Sequence, residues 1–261
     1  MSHLLSVLMV AIGCGGLAVQ SGLPPGRAFD AVSVRPSVSA EASDGFAAQA
    51  GGITIRNTTL RRIITTVYEV DDRQLAGGPL WIDDEPFDIV ATAASNVSRD
   101  ELMRMTRAML ADRFKLTLRS EMRELPVYEL TTVRNDKRLG SGLQRSSRTC
   151  RGGRSAERSG CVTQVAPGSI VSSGTTMTAF VAKYLTPLMD RLILDRTGLE
   201  GTFDVRLRFG SKPPVAPPAA SSSSSPRLFA ALEGQLGLRL RATSGSVSVL
   251  VVERVERPTN D

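Results

Sequence analysis

The chain has 261 residues, of which 41% are hydrophobic and 22% are charged, and its formal net charge is +6. This is the composition of an ordinary globular protein, and it excludes a collagen-like, coiled-coil or wholly disordered chain. The sequence contains a single histidine, His3, close to the N-terminus. A mature chain without it has no Ser-His-Asp triad, no Cys-His pair and no His-ligated zinc ion. We expect no cofactor and no metal site, and we assign no catalytic residue.

The N-terminus predicts export. Residues 4–19 form an apolar run that is too short and too rich in glycine for a comfortable membrane-spanning helix. A Ser-Gly-Leu-Pro-Pro turn follows, as is typical of a secretory signal peptide, which we place at residues 1–21. Because no Lys or Arg precedes the apolar run, a buried N-terminal helix is the alternative.

The cleavage point has two interpretations. Residues 11–14, Ala-Ile-Gly-Cys, partly match a lipoprotein box and would place a lipid on Cys14. Ordinary cleavage near Ala18 or Ser21 competes with it, because Ile12 is bulkier than the residue usual in such a box. Contact with a membrane is expected only through that lipid or through an uncleaved signal peptide.

Residues 28–134 predict a first α+β repeat. After Thr58 and Thr59 the apolar residues are spaced three, one, three and one apart, which indicates one face of a helix with threonine N-caps. Ser98 caps a second predicted helix. The expected strands of this repeat are 29–34, 51–54, 87–90, 116–119 and 127–130.

Residues 167–257 repeat the same order. Thr175 and Thr176 precede a helix with the same apolar spacing, a Phe-Asp strand follows at 203–207, and Pro226 opens a second helix. We therefore predict an α+β fold of two duplicated strand-helix-strand-helix-strand-strand halves, with helices packed on a mostly antiparallel sheet. Chance similarity between two generic units is the alternative.

Two linkers interrupt this order. Residues 210–225 contain two Pro-Pro pairs and five consecutive serines, which predicts a disordered insertion in the second repeat. Residues 135–166 join the two repeats as a basic loop. The stretch 134–158 carries eight basic and two acidic residues, an excess that equals the net charge of the whole chain.

Cys150 and Cys161 predict a disulfide within this basic loop. Once Cys14 is removed or lipidated, they are an even pair of cysteines in an oxidising compartment. Closing a ring of about a dozen residues would stabilise the fold by about 3 kcal/mol. Two free thiols are the alternative.

Arginines of the basic loop are candidate contacts for an anionic partner. Nucleic-acid-binding proteins interleave cations with stacking aromatic residues, and this segment has no aromatic residue, so no nucleic acid is expected. A loop that is merely solvated is the alternative. The candidate residues are Arg138, Arg145, Arg148, Arg151 and Arg154.

The acidic residues indicate structure more than catalysis. Asp83, Asp84 and Glu85 form the densest cluster, but adjacent turn residues point in different directions, whereas glycoside hydrolysis needs two carboxylates that face each other. Asp88 and Asp204 each follow a Phe in the two repeats. This repeated placement predicts a structural role, such as capping or turn hydrogen bonding.

Five segments carry a family resemblance: 29–37, 77–83, 110–116, 123–128 and 195–204. They resemble a soil-associated family of exported bacterial proteins of unknown function that is expanded in acidobacteria. The family has no established activity, so the resemblance implies no site residue. Some relatives are joined to a membrane metallopeptidase of the antibiotic-sensor type, but this chain lacks the His-Glu-x-x-His motif of the peptidase.

The leading hypothesis is an exported cell-envelope protein that acts as a non-catalytic binding module. It would contact an envelope protein or an anionic envelope component through an exposed sheet edge or through the basic loop. A hydrolase that uses only carboxylates is one alternative. The other, implied by the resemblance, is an extracytoplasmic sensor-like domain of a membrane peptidase system.

Overall fold

The computed structural model describes eight stretches of the chain. The predicted signal peptide, the predicted lipidation site Cys14, the candidate contacts Arg151 and Arg154, and most of the predicted 210–225 insertion lie outside the described residues. The described residues are 27–38, 45–49, 51–94, 97–134, 138–148, 150, 161–210 and 225–258.

The first half of the described chain contains six strands and three helices. The strands are β1 (Ala31–Pro36), β2 (Gly45–Gln49), β3 (Gly52–Thr59), β4 (Leu75–Gly77), β5 (Pro86–Thr92) and β6 (Thr117–Thr132). The helices are α1 (Leu60–Tyr68), α2 (Trp81–Asp84) and α3 (Arg99–Arg113), with a 3₁₀ turn at Asp72–Gln74. The side chains that α1 buries include Ile63, Ile64 and Val67, which lie on the predicted apolar face.

The second half contains six further strands and more irregular helices. The strands are β7 (Leu143–Ser146), β8 (Thr163–Ala166), β9 (Ser169–Thr176), β10 (Leu192–Asp195), β11 (Thr202–Arg208) and β12 (Leu238–Arg254). Helix α4 (Met177–Phe180) continues as a π turn at Val181–Leu185 and a 3₁₀ turn at Thr186–Leu188. Helix α5 (Ser225–Ala231) continues as a π turn at Leu232–Leu236.

The predicted helix caps are correct at two of three places. The hydroxyls of Ser98 and Thr176 each accept a hydrogen bond from the backbone amide three residues further on, both at 3.2 Å. Thr59 precedes α1 but its side chain makes no cap bond, so that prediction is wrong. Thr58 does not replace it, because its hydroxyl donates to the carbonyl of Arg56 at 2.7 Å.

The strands form three sheets of four strands each, which confirms the α+β class. One sheet has the order β1-β5-β3-β2 and another the order β7-β11-β9-β8, and every neighbouring pair in these two is antiparallel. Counted along each half, the two strand orders correspond element by element. That the halves arose by duplication stays a prediction, as do the boundaries of the predicted repeats.

The central sheet exchanges strands between the halves. Its order is β10-β6-β12-β4, with β6 and β12 antiparallel. The short strand β4 of the first half pairs in parallel with β12 of the second, and β10 of the second half pairs in parallel with β6 of the first. The short strand of each half therefore pairs with the long strand of the other half.

The two main hydrophobic cores cross this boundary in the same way. The first core, around Ile63 and Phe87, includes Val252 of β12. The second core, around Phe180 and Phe203, includes Leu130 of β6. Because each core buries side chains of the long strand from the other half, the two halves pack as one intertwined unit.

Each half ends in one long strand where the sequence predicts two. Strand β6 includes the predicted strand 127–130 and all of 116–119 except Leu116, because it pairs with β12 along its whole length from Thr117 to Thr132. Continuous pairing supplies backbone partners even to the polar stretch between the two apolar segments. The predicted break is therefore wrong.

The predicted loop 135–166 contains two strands. Strand β7 pairs with β11, and β8 pairs with β9. Their sequences, Leu-Gln-Arg-Ser and Thr-Gln-Val-Ala, are four residues long and largely polar, so no alternation of apolar and polar residues marks them. Tertiary pairing, and not local sequence, places these residues in a sheet.

Candidate binding site

A cleft of about 660 Å³ lies where the two halves meet. Its apolar lining includes Leu192 and Leu194 of β10 and Val247 of β12. These residues belong to a small hydrophobic cluster that is separate from the two main cores. The walls are the C-terminal part of α1 with the turn that follows it, and the helical segment 176–187. This is the size and mixed lining of a ligand-binding cleft.

Arg73 joins the two halves beside this cleft. Its guanidinium donates hydrogen bonds to the carbonyls of Met189 at 2.9 Å and of Thr186 at 3.2 Å. Asp71 holds the same guanidinium through both carboxylate oxygens, at 2.6 and 2.9 Å. The hydrogen bond from Arg73 lowers the pKa of Asp71, and the bond to Asp71 raises the pKa of Arg73. We call this fixed ion pair of Asp71 and Arg73 the Arg73 clasp; neither residue is a free charge.

Sequence reasoning did not identify this clasp. The local signal was present, because Asp71 and Gln74 form a capping box around the 3₁₀ turn. The side chain of Gln74 also donates to the carbonyl of Ser248 at 3.1 Å. These contacts join residues more than 100 positions apart in the chain, and no local pattern indicates such pairs.

Among the described residues, strand β8 is an exposed edge strand of its sheet. All four of its residues are exposed, Val165 by 57%, and Val162 just before it by 42%. The amide of Ser173 donates to the carbonyl of Val162 at 2.8 Å, which fixes the alternation of the hydrogen bonds between β8 and β9. Thr163 and Val165 therefore direct their backbone groups away from β9.

The disulfide lies at one end of the same sheet. The structure confirms the bond between Cys150 and Cys161, whose Cα atoms are 5.8 Å apart. The amide of Cys150 donates to the carbonyl of Gly174 in β9 at 3.0 Å. The hydroxyl of Thr202 donates to the carbonyls of Ser146 and Arg148, so the chain crosses the end of the sheet here.

Three of the candidate basic residues are described. Arg138, Arg145 and Arg148 are exposed. The guanidinium of Arg145 lies 5.6 Å from the ring centroid of Phe203 and donates to the carbonyl of Glu200 at 3.0 Å. The backbone of Arg148 lies near the disulfide, whereas Arg138 lines a separate pocket beside Gly237. Arg145 belongs to β7, at the edge of the sheet opposite β8.

The acidic cluster is occupied by ion pairs. Asp83 pairs with Arg61, and Glu85 pairs with Arg257 through two hydrogen bonds of 2.6 and 2.9 Å. The bonds from Arg257 lower the pKa of Glu85, which is the opposite of what a general acid requires. Asp84 is exposed.

Asp88 and Asp204 have the predicted structural role. Asp88 accepts a hydrogen bond from the amide of Asn57, and Asp204 accepts one from the amide of Gly174, both at 2.8 Å. Both amides lie at irregularities in the pairing of β3 with β5 and of β9 with β11. An extra residue at a β-bulge loses its ladder partner, and the carboxylate replaces that partner.

The described residues contain no group of three or more His, Cys, Asp or Glu side chains placed to hold a metal ion. Helix α3, with 15 residues, is the longest helix of the described chain, and no helix there has both the length and the apolar character needed to cross a membrane.

The fold and the cleft define an α+β protein built of two intertwined halves with mostly antiparallel sheets. The chain belongs to the DUF3738 family, which is described as a protein of unknown function and matches residues 61–255. The match covers most of both halves. No curated protein and no solved structure matches the chain.

Proposed function

We propose that this chain is an exported cell-envelope protein that binds a protein partner by strand addition at β8, without catalysing a reaction. The observation that carries the proposal is the exposure of all four β8 residues at the edge of a sheet. An edge strand offers backbone donors and acceptors that an extended segment of another protein can pair with.

The outward groups of β8 define what such a partner would contact. The N–H and C=O groups of Thr163 and Val165 point away from β9, and the exposed side chain of Val165 offers an apolar contact. Arg145 belongs to β7, the strand at the opposite edge of the same sheet, so its charge is not part of this surface.

The competing function, a carboxylate-only hydrolase, has less support from the geometry. Asp83 and Glu85 are paired with arginines, and Asp88 and Asp204 accept hydrogen bonds from backbone amides. Each of these carboxylates has a structural task that explains its position. A binding function requires no further role for them.

The test combines in-cell photo-cross-linking with a proline substitution. A photoreactive residue at the exposed position Gln164 is expected to form a reproducible cross-link to an envelope protein. The second substitution, Val165→Pro, removes one outward N–H group while leaving the bonds between β8 and β9, because proline is tolerated on edge strands. We expect Val165→Pro to abolish the cross-link without changing the thermal midpoint, and Val165→Thr, which keeps the N–H group, to preserve it.

An unchanged cross-link in a folded Val165→Pro variant would contradict strand addition at β8. If that cross-link is then lost in an Arg145→Gln, Arg148→Gln double variant, the contact lies at the basic residues instead. Absence of any partner cross-link would remove the basis of the proposed function.

A further inference from the structure

The cleft between the halves lies beside a second sheet edge. Strand β10 is the outermost strand of the central sheet in the described chain, and three of its four residues line the cleft. The amide of Arg196, just beyond β10, donates to the carbonyl of Leu130 in β6 at 2.9 Å. In a parallel pair the backbone groups alternate in direction, so Leu192 and Leu194 also face β6, and Ile193 and Asp195 face away from it.

Ile193 therefore directs its backbone N–H and C=O groups, and not its side chain, towards the cleft. The residue as a whole is only 7% exposed, and its side chain packs in the second core. The side chains of Leu192 and Leu194 project from the opposite face of the strand, into the small cluster with Val247 that lines the cleft. The cleft thus combines an apolar surface with an outward-facing N–H and C=O of a sheet edge.

The corresponding edge in the first half is closed by a side chain. Arg61, the second residue of α1, donates to the carbonyl of Leu75 in β4 at 3.0 Å and is held there by Asp83. The second residue of α4 is Thr178, which is too short to reach in this way, and its hydroxyl donates to the carboxylate of Asp195 at 3.4 Å. Among the described residues, no side chain hydrogen-bonds the backbone of Ile193 in the way that Arg61 bonds the backbone of Leu75.

Two opposite charges flank the cleft. Lys183 lies on the helical segment of the second half, and Glu69 follows α1 of the first half; both line the cleft and both are exposed. Among the described residues, neither has an ion-pair partner. The threonines of the walls are less available, since Thr66 donates to the carbonyl of Arg62 and Thr176 caps its helix.

We propose that this cleft binds a short extended peptide with apolar side chains and free termini. The edge at Ile193 matches a peptide backbone, the surface of Leu192, Leu194 and Val247 matches apolar side chains, and Lys183 and Glu69 match a carboxylate and an ammonium group. A lipid chain would use the apolar surface alone and would leave the backbone edge and the acidic residue without partners. The site is separate from β8.

The test fills the cleft with a large side chain. The probe is a pool of synthetic tetrapeptides with Ala, Val or Leu at each position, screened against the full chain by native mass spectrometry, with the best binder then titrated by calorimetry. Ala182 is exposed and lines the cleft, so Ala182→Trp is expected to weaken binding by about tenfold or more. Ala108 is exposed on α3, away from the cleft, and Ala108→Trp is the matched control that should bind normally.

A second measurement does not depend on how the protein accommodates tryptophan. The C-terminal amide of the best tetrapeptide lacks the carboxylate, and we expect it to bind about fivefold more weakly than the free acid. In a Lys183→Met variant the acid and the amide should bind equally. This comparison reads the charge contact directly, whatever Ala182→Trp does to folding.

Three results would overturn the proposal. They are no tetrapeptide bound at millimolar concentration, equal binding by the Ala182→Trp and Ala108→Trp variants, and binding of decanoate without any tetrapeptide. The last would assign the cleft to a lipid chain. Val165→Pro in β8 should leave tetrapeptide binding intact, so failure here and failure of strand addition at β8 are distinguishable.

Discussion

Gly174 packs directly against the disulfide through Cys150. Besides the hydrogen bond between their backbones, a Cβ atom at Gly174 would lie 2.6 Å from Sγ of Cys150 and 2.9 Å from the carbonyl oxygen of Arg148. Gly174 also has a φ of +59°, in the left-handed region. Both the backbone conformation and the close contact therefore require glycine here.

Gly174→Ala is expected to destabilise the oxidised protein by about 2–4 kcal/mol, from left-handed strain and overpacking together. Urea unfolding measures the change. The matched control is Gly234→Ala, where an added Cβ meets nothing within 4 Å and φ is not positive. In that helical turn alanine should stabilise by about 0.5–1 kcal/mol. Equal effects of the two substitutions would contradict the packing of the disulfide on β9.

The two bulge carboxylates give the second prediction. Asp88→Ala and Asp204→Ala should each cost about 1–3 kcal/mol in unfolding free energy, because a backbone amide loses its hydrogen-bond partner. Asn in place of either Asp keeps an acceptor oxygen and should cost less. Asp84→Ala, at an exposed position, should change stability by no more than about 0.5 kcal/mol. If Asp88→Ala and Asp84→Ala change the unfolding free energy equally, the hydrogen bond between Asp88 and the amide of Asn57 does not stabilise the fold.

The structural role of these aspartates could be predicted because their placement is repeated. A Phe-Asp pair at the same place in both halves indicated a shared structural task, and the partner amide lies on the neighbouring strand. The disulfide was predictable for a similar reason, since two cysteines separated by 11 positions close a small ring. In both cases the signal lies in residue identity and spacing.

The exchange of strands could not be predicted in this way. Strands β4 and β10 have three and four residues, and their partners lie on long strands of the other half. Nothing in Leu-Ala-Gly or Leu-Ile-Leu-Asp specifies which strand it pairs with. The cleft could not be predicted either, because it forms only where β10, α1 and the Arg73 clasp meet.

The third prediction follows from this exchange. Residues 27–134 expressed alone should not fold cooperatively, because β6 would lose β12 along its whole length and the first core would lose Val252. Circular dichroism with thermal unfolding measures this. Mixing the fragment with a second fragment, residues 138–258, should restore a cooperative transition. A sharp transition of 27–134 by itself would show that the halves are independent.

The last prediction concerns the pH dependence of the Arg73 clasp. The hydrogen bond from Arg73 lowers the pKa of Asp71 in the folded chain below the ordinary aspartate value, about 4, that the unfolded chain keeps. As the pH falls, the unfolded chain takes up the proton first. The stability that Asp71 contributes is therefore fully present above about pH 4 and is lost as the pH falls through the lower, folded pKa.

The Asp71→Asn substitution removes this pH-dependent contribution to stability, so a comparison with the natural chain measures it. The difference in unfolding free energy between the natural chain and Asp71→Asn should be largest near neutral pH and should shrink steadily from pH 5 towards pH 2, as denaturant titrations at each pH would show. Its size is limited because the pair is partly exposed to solvent. Raising the salt concentration at neutral pH should reduce the difference in the same direction. A difference that stays constant across this pH range would mean that the carboxylate charge of Asp71 does not hold Arg73 against Met189 and Thr186, and that the halves are joined there by packing alone.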